Sequence, residues 1–200
     1  MIAIIDYGAG NIFSVKNALD YLGLAGELTS DPEAIRKADA LILPGVGAFP
    51  SAMQMLHDSG LTNIIQEEAH KKPFLGICLG MQLIFEKGYE FEECNGLGLI
   101  PGKVEKIVAP DMVIPHMGWN KLSLRSSSPL LQQAEAEYVY FVHSFHVEPQ
   151  QQELITAVCD YGMEITAAVG SGSVQAFQFH PEKSSRAGLG LLRAFKEWQP

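Results

Sequence analysis

The sequence predicts an α/β fold with a mostly parallel central sheet flanked by helices and an additional antiparallel β region. In the first half of the chain, short apolar runs alternate with segments that carry apolar residues at helical spacing. This alternation is typical of βαβ units and therefore of parallel strands. Between residues 99 and 169, short β-rich runs are separated by stretches too short for crossover helices, so we expect antiparallel neighbours there.

The first half is expected to begin with a strand at Ile2–Ile5 and a helix at Asn11–Leu22. Gly23 follows the last apolar position of that helix and is a suitable stop residue. The next strand, Ala40–Leu43, runs into a glycine-rich loop. The other elements predicted in this half are helices at Ser51–Leu56 and Thr62–His70, a strand at Pro73–Ile77 and a helix at Leu79–Glu86.

The second half is expected to hold short strands and a closing helix. The predicted strands are Lys103–Val108, Lys121–Leu124, Tyr138–Val147, Leu154–Cys159, Ile165–Ala168 and Ser173–Phe179, and the helix is Gly188–Trp198. The segment Ser126–Pro129 is predicted to be a loop. The length of 200 residues fits a single domain over residues 1–200.

Composition excludes several classes of protein. The chain is 47% hydrophobic and 18% charged, and its net charge of -9 argues against a nucleic-acid-binding surface. Its three cysteines form no C-x-x-C pair, so neither disulfides nor a thiolate zinc site is indicated. The first residues lack a basic region, and no apolar run approaches the ~20 residues of a membrane span. We therefore expect a reduced, cytoplasmic location and no membrane contact.

The segment Gly76-Ile-Cys78-Leu-Gly80 has the spacing of a nucleophile elbow, with cysteine at the turning point between a strand and a helix. We expect the glycines to remove side chains that would clash in so tight a turn. The elbow would expose the sulfur at a helix N-terminus, where the dipole favours a thiolate. The alternative is that Cys78 is an ordinary buried cysteine.

His180 is the candidate base for this cysteine. It ends an apolar strand, whereas His57 and His70 belong to polar helical segments and are predicted to lie on the surface. In an extended segment, residues i and i+2 point the same way, so the carboxylate of Glu182 is expected to reach the His180 ring. The alternative is that His180 only caps a strand and Glu182 is solvated. His180 and Cys78 both follow strands of the predicted sheet, at the edge where α/β proteins place active sites, and this favours the catalytic interpretation.

Acyl chemistry at Cys78 also needs donors for an oxyanion. One candidate is the backbone N–H of Leu79. The other is the loop Gly45, Val46 and Gly47, whose glycines allow a close backbone approach. Because such a loop can reorient a peptide, we hypothesise that this oxyanion hole is completed only when a partner binds.

Together, Gly76–Gln82 and Phe179–Glu182 resemble the signatures of the class I, triad-type glutamine amidotransferases, which have a flavodoxin-like sheet. Five further stretches narrow the resemblance to the glutaminase subunits of imidazole glycerol phosphate synthases. They are Asp6–Asn11, Leu43–Phe49, Pro115–Asn120, Tyr140–Phe145 and His180–Ser184. The resemblance covers nearly the whole chain, and its one noted departure is Phe145 where the family often has tyrosine.

The resemblance implies that Cys78 attacks the side-chain amide of glutamine, His180 transfers the proton and Glu182 orients His180. It also assigns substrate contacts to four residues beyond the oxyanion loop. These are Gln82, His143, Ser144 and Phe145.

The implied partner is the cyclase subunit, a (β/α)8 barrel that uses the released ammonia to make imidazole glycerol phosphate and an aminoimidazole carboxamide ribotide in histidine biosynthesis. The two subunits would form a heterodimer, with Asn11, Tyr138 and Lys183 towards the cyclase. No cofactor is implied.

Two other sites are disfavoured. Asp6–Asn11 imitates the start of a dinucleotide fingerprint, but Phe13 replaces the third glycine. His116 with His143 or His146 suggests a metal site, but no carboxylate lies at ligand spacing.

The run Glu90–Glu93 is expected to be a solvated face. The open alternatives are a glutaminase for an anthranilate, pyridoxal phosphate or purine synthase, and a non-catalytic subunit with the same fold.

Overall fold

The computed structural model describes residues 1–8, 11–132, 134 and 137–200. Ala9 and Gly10 of the predicted Asp6–Asn11 turn lie outside these residues. The strands in chain order are β1 (Ile2–Ile5), β2 (Gly26–Thr29), β3 (Ala40–Gly45), β4 (Phe74–Cys78), β5 (Phe85–Gly88), β6 (Cys94–Asn95), β7 (Ile100–Lys106), β8 (His116–Lys121), β9 (Ser123–Leu124), β10 (Tyr138–His143), β11 (Phe145–Pro149), β12 (Ile155–Asp160), β13 (Glu164–Ser171) and β14 (Val174–Phe177).

The α-helices described are α1 (Ile12–Tyr21), α2 (Pro32–Lys37), α3 (Phe49–Asp58), α4 (Thr62–Ala69), α5 (Leu79–Leu83) and α6 (Ser185–Glu197). Short 3-10 turns lie at Gln152–Leu154 and Pro181–Lys183. Within the described ranges, no helix combines the length and the apolar character needed to cross a membrane.

The main sheet has the strand order β2-β1-β3-β4-β14-β13-β12-β9. The first five of these strands are parallel, and the last three are antiparallel to their neighbours. An antiparallel pair, β10-β8, and a four-stranded sheet, β11-β7-β5-β6, complete the fold. This confirms the predicted α/β class with its extra antiparallel region.

The main sheet separates two apolar cores because its central strands are buried on both faces, as parallel strands covered by helices require. In β1, Ala3 and Ile5 face one core while Ile2 and Ile4 face the other. Helices α2 to α5 pack on the first face, and α1 and α6 pack on the second. The carboxyl ends of the parallel strands remain free to form a site.

The predicted helix at Leu79–Glu86 is wrong in its second half. α5 ends at Leu83, and Phe85 begins strand β5. The carbonyl groups that would continue the helix accept hydrogen bonds from a segment that follows later in the chain. The carbonyl of Leu83 accepts from the N–H of Leu97, and the carbonyl of Ile84 accepts from the N–H of Leu99. A long-range backbone pairing therefore overrides the local helical spacing.

The predicted single strand Tyr138–Val147 is also wrong, because it is two strands in two different sheets. The chain leaves β10 at His143 and enters β11 at Phe145, and the carbonyl of Ser144 accepts from the N–H of Ile107. Residues 143–145 therefore form a junction between two sheets.

The predicted strand Lys121–Leu124 is likewise divided between β8 and β9. The strands β2, β5 and β6, the part of β8 before Lys121 and the helix α2 were not predicted. The other predicted elements are confirmed, with bounds that differ by a few residues.

Candidate active site

Cys78 lies at the junction of β4 and α5, and its own backbone is strained. Its φ and ψ are 54° and -111°, a region that residues with a side chain rarely occupy. A Cβ on Gly80 would lie 1.8 Å from the carbonyl oxygen of Leu43, and one on Gly76 would lie 2.9 Å from the carbonyl oxygen of Gly80. The glycines therefore provide space for the turn, as the sequence predicted, while the cysteine itself adopts the unusual conformation.

His180 reaches the same place from the neighbouring strand. β14 runs parallel to β4, with Phe177 paired to Ile77, so the residues that follow both strands emerge at one edge. The backbone N–H of His180 donates to the carbonyl of Tyr140 at 2.9 Å, and the hydroxyl of Ser184 donates to the carbonyl of His180 at 2.6 Å. Hydrogen bonds to both its N–H and its carbonyl therefore fix the backbone of the candidate base.

Glu182 contacts His180, but not through the predicted extended segment. Pro181–Lys183 is a 3-10 turn, which folds the carboxylate back so that Oε1 of Glu182 lies 2.7 Å from Nδ1 of His180. Both side chains are 1% exposed. The amide Nδ2 of Asn11 donates to the same carboxylate oxygen at 3.1 Å.

These contacts set the proton positions of His180. Its Nδ1–H donates to Glu182, so Nε2 is the nitrogen available for Cys78. Nε2 is buried, and within the described part of the chain no group meets hydrogen-bond geometry with it. Burial lowers the pKa of His180, but Cys78 and Glu182 outweigh this effect and raise that pKa to about 9. The arrangement therefore favours an imidazolium beside the sulfur at neutral pH.

Cys78 and His180 open onto a cavity of about 340 Å³. Most of the sequence-predicted site residues lie on its wall. The lining residues are Val46, Gly47, Cys78, Leu79, Gln82, Glu90, Pro115, Val142, His143, Ser144, Phe145 and His180.

Gly45 does not line the cavity. A Cβ at this position would lie 2.7 Å from Oη of Tyr7 and 3.1 Å from Cβ of Leu79, so Gly45 allows β3 to pack closely against the elbow. Gly47 does line the cavity and has a φ of +109°, which favours glycine.

The residues predicted to face a partner lie on or near the surface. Tyr138 is 57% exposed, and Lys183 is exposed with its Nζ 5.9 Å from the centroid of the Tyr140 ring. Asn11 is half-buried and contacts Glu182, which connects it to the candidate triad.

Sequence reasoning missed Gln178. This side chain is fully buried, its Nε2 lies 3.9 Å from the sulfur of Cys78, and its Oε1 accepts from Nε2 of Gln82 at 3.1 Å. The amide thereby connects the nucleophile to a residue on the cavity wall. The available signal was a polar residue inside the apolar run Phe177–Phe179.

Sequence reasoning was wrong about Glu90, which was expected on a solvated face. Its carboxylate lines the cavity, and Oε2 accepts from the backbone N–H of Phe49 at 2.8 Å. It is the one carboxylate among the described residues that form the cavity wall. Nothing in the acidic run distinguishes it from Glu92 and Glu93.

Comparison with known protein families gives a match over nearly the full chain. The family model described as "Glutamine amidotransferase class-I" matches residues 3–196. The chain is 47% identical over 199 residues to "Imidazole glycerol phosphate synthase subunit HisH" of Listeria monocytogenes, covering 98% of this chain and 95% of the relative. It is 48% identical over 198 residues to the protein of the same description from Bacillus anthracis, covering 98% and 94%.

Solved structures share the fold at low sequence identity. A crystal structure of a glutamine amidotransferase superposes with a TM-score of 0.77 at 19% identity, covering 98% of both chains. The glutaminase domain of Trypanosoma brucei CTPS with bound acivicin superposes with a TM-score of 0.63 at 16% identity, covering 100% of this chain and 94% of that domain. At these identities, the structural likeness shows a common fold alone.

Proposed function

The chain belongs to the class I glutamine amidotransferase family, and on that basis we propose that it is the glutaminase subunit of an imidazole glycerol phosphate synthase in histidine biosynthesis. The observation that carries the proposal is a thiol and an imidazole on the wall of one cavity, with a carboxylate hydrogen-bonded to the imidazole. The similarity to HisH proteins over nearly their full length supports the choice of synthase.

In the proposed reaction, the sulfur of Cys78 attacks the carbon of the glutamine side-chain amide. Nε2 of His180 takes the proton of the Cys78 thiol before the attack, which gives the imidazolium described above, and then gives a proton to the departing ammonia, because Nδ1 is engaged by Glu182. The C–N bond breaks and a thioester remains. Water, deprotonated by the same nitrogen, attacks the thioester and releases glutamate and the free thiol.

The tetrahedral intermediates carry a negative oxygen that needs donors. We assign this role to the N–H of Leu79, which begins the helix after the nucleophile, and to an N–H of the Val46–Gly47 loop. Both segments line the cavity beside Cys78. The positive φ of Gly47 is consistent with a loop whose peptide can be reoriented by a partner.

Other residues of the cavity wall suit the amino-acid end of glutamine. Glu90 offers a carboxylate for the α-ammonium group, and Ser144 and Phe145 offer backbone groups for the α-carboxylate. Nε2 of Gln82 donates to the carbonyl of Phe145 at 3.0 Å and to Gln178, which leaves its Oε1 for a donor in the substrate.

The product requires a partner. Ammonia released into neutral water is mostly protonated and no longer nucleophilic, so the glutaminase must deliver it through an enclosed path. We propose that the cyclase subunit, a (β/α)8 barrel, covers the cavity edge near Asn11, Tyr138 and Lys183.

The experiment is a comparison of two nitrogen sources in the assembled synthase. Cys78→Ala is expected to reduce glutamine-dependent synthesis at least about a thousandfold, because it removes the nucleophile. Synthesis from added ammonium is expected to continue at the wild-type rate. Product formation is followed with the cyclase subunit and its ribotide substrate.

Cys94→Ala is the matched control, because Cys94 is not among the described residues that line the cavity. It should leave both activities unchanged. Equal loss of the two activities in Cys78→Ala would contradict the division of labour. A wild-type chain that releases no glutamate, even with a competent cyclase, would contradict the choice of synthase.

A further inference from the structure

Two imidazoles outside the triad belong to a hydrogen-bond chain behind the cavity. Nδ2 of Asn120 lies 2.7 Å from the carbonyl oxygen of Asp160 and 3.3 Å from Nε2 of His116. Nδ1 of His116 lies 3.0 Å from Nε2 of His143. Nδ1 of His143 lies 2.8 Å from the carbonyl oxygen of Phe145. This series of hydrogen bonds therefore ends at Phe145, on the cavity wall.

Both ends of this chain determine where its protons lie. Nδ2 of Asn120 must be a donor, since it bonds a carbonyl, and Oδ1 of the same amide accepts from the N–H of Lys121 at 2.7 Å. Nε2 of His116 therefore carries a lone pair, and its Nδ1–H donates to Nε2 of His143. His143 in turn carries its proton on Nδ1, as its carbonyl partner requires.

Packing fixes the His116 ring in this orientation. It is stacked between Phe141, at 4.6 Å and 20°, and Tyr161, at 3.9 Å and 26°. Burial lowers the pKa of His116 to about 4. Burial is also the main reason why the pKa of His143 is lowered to about 3. Both rings are neutral near pH 7, because a further proton would place two N–H groups against each other.

The Phe145 carbonyl receives two donors, Nδ1–H of His143 and Nε2–H of Gln82. A carbonyl oxygen has two lone pairs, so its hydrogen-bonding capacity is filled. The Phe145 peptide cannot rotate without breaking both bonds. Its neighbours in the junction between β10 and β11 are thereby held on the cavity wall.

We propose that His116 is a positioning residue for glutamine binding, which acts through His143 to fix the Phe145 carbonyl and the cavity wall at residues 143–145. The inference rests on the proposed glutaminase function. His116 is not among the described residues that line the cavity, so it acts through its neighbours and not on the reacting atoms.

The test compares two substitutions at one position, in complex with the cyclase subunit. His116→Phe keeps an aromatic ring between Phe141 and Tyr161 but removes both hydrogen bonds. We expect it to raise KM for glutamine about tenfold and to change kcat by less than about twofold, because a buried acceptor on His143 loses its donor. His116→Gln supplies a donor and an acceptor, and its KM should stay within about threefold of wild type.

Tyr161→Phe is the control for packing, because it retains the stacked ring and removes only a hydroxyl that donates to the carbonyl of Val113. Its KM should equal that of wild type. A folded His116→Phe protein with a wild-type KM would overturn the inference. Equal damage from both His116 substitutions would overturn it too, because a side chain that supplies the donor and the acceptor would then fail to restore glutamine binding.

Long-range ¹H–¹⁵N spectra of the wild-type protein provide a second measurement that needs neither a variant nor substrate. We expect His143 to be a neutral ring protonated on Nδ1, and a proton on Nε2 would overturn the inference. A wild-type complex that releases no glutamate would count against the proposed function alone, because the spectrum still tests the hydrogen-bond chain.

Discussion

At the scale of single residues, the nucleophile combines backbone strain with fixed electrostatics. Cys78 has a positive φ, whereas the nearby Gly76 and Gly80 do not, although glycine is the residue type that adopts such a conformation most easily. A strained residue persists only when its surroundings hold it, and Cys78 is held between β4 and α5. Its partner His180 is held by Glu182 and by the backbone of Tyr140. The site therefore depends on surrounding groups at each member of the triad.

Glu182→Gln should lower the pKa of His180. Burial lowers this pKa, whereas Cys78 and Glu182 raise it to about 9, and a neutral amide would remove one of the raising charges. In an NMR titration of the His180 ring, we expect the midpoint near 9 to fall by at least about one unit. Because 9 lies above the usual 6.5, protonated His180 stabilises the fold fully below about pH 6.5. That contribution to the free energy of unfolding is lost as pH rises through about 9.

The control for this titration is Glu153→Gln, which makes the same charge change at an exposed position. It should leave the His180 midpoint unchanged. Equal shifts in both variants would assign the effect to net charge and contradict a specific role of Glu182.

At the scale of elements, the sequence predicted what local patterns determine. The apolar runs of β1 and β4 and the apolar faces of α1 and α6 were recognisable, and so was the edge where Cys78 and His180 meet. The end of α5 and the break at Ser144 were not recognisable, because the carbonyl groups at these positions accept hydrogen bonds from backbone N–H groups far away in sequence. Glu90 is a similar case, since its position depends on the N–H of Phe49, 41 residues away in sequence.

Gly80→Ala should destabilise the protein by about 1–3 kcal/mol, the usual cost of overpacking. Its Cβ would lie 1.8 Å from the carbonyl oxygen of Leu43, so β3 or α5 must move. Since α5 begins directly after Cys78, we also expect a loss of glutaminase activity. Urea unfolding and glutamate release provide the two measurements.

Gly190→Ala is the matched control, because it lies in α6 with open space around its Cα. It should stabilise the protein by about 0.5–1 kcal/mol through helix propensity. Gly80→Ala with wild-type stability would contradict the close approach of the elbow to β3.

At the scale of the whole molecule, the pair β8–β10 separates an outer apolar face from the hydrogen-bond chain behind the cavity. On β8, His116 and Asn120 point inward, whereas Met117 and Trp119 are 60% and 50% exposed. Tyr138 on β10 adds a third exposed aromatic or apolar side chain. Exposed apolar side chains grouped on one small sheet are typical of an interaction surface, and Tyr138 was predicted to face the cyclase.

Trp119→Ala should weaken binding to the cyclase subunit at least about tenfold, because tryptophan often dominates an interface. Titration calorimetry measures the affinity. The rate at which iodoacetamide alkylates Cys78 in the isolated chain should not change. Tyr21→Ala is the control. It removes an aromatic side chain that is 80% exposed at the C-terminal end of α1, and it should leave the affinity unchanged. Equal effects of the two substitutions would place the interface elsewhere.

The strand order also has a consequence for synthesis of the chain on the ribosome. β4 carries the nucleophile at residue 78, but its neighbour β14 begins at Val174, so about half of the polypeptide is made between them. Until β14 arrives, β4 has an unpaired edge, and such edges promote aggregation. A nascent chain has a cysteine without its base throughout this interval, so hydrolytic activity begins only when folding is nearly complete.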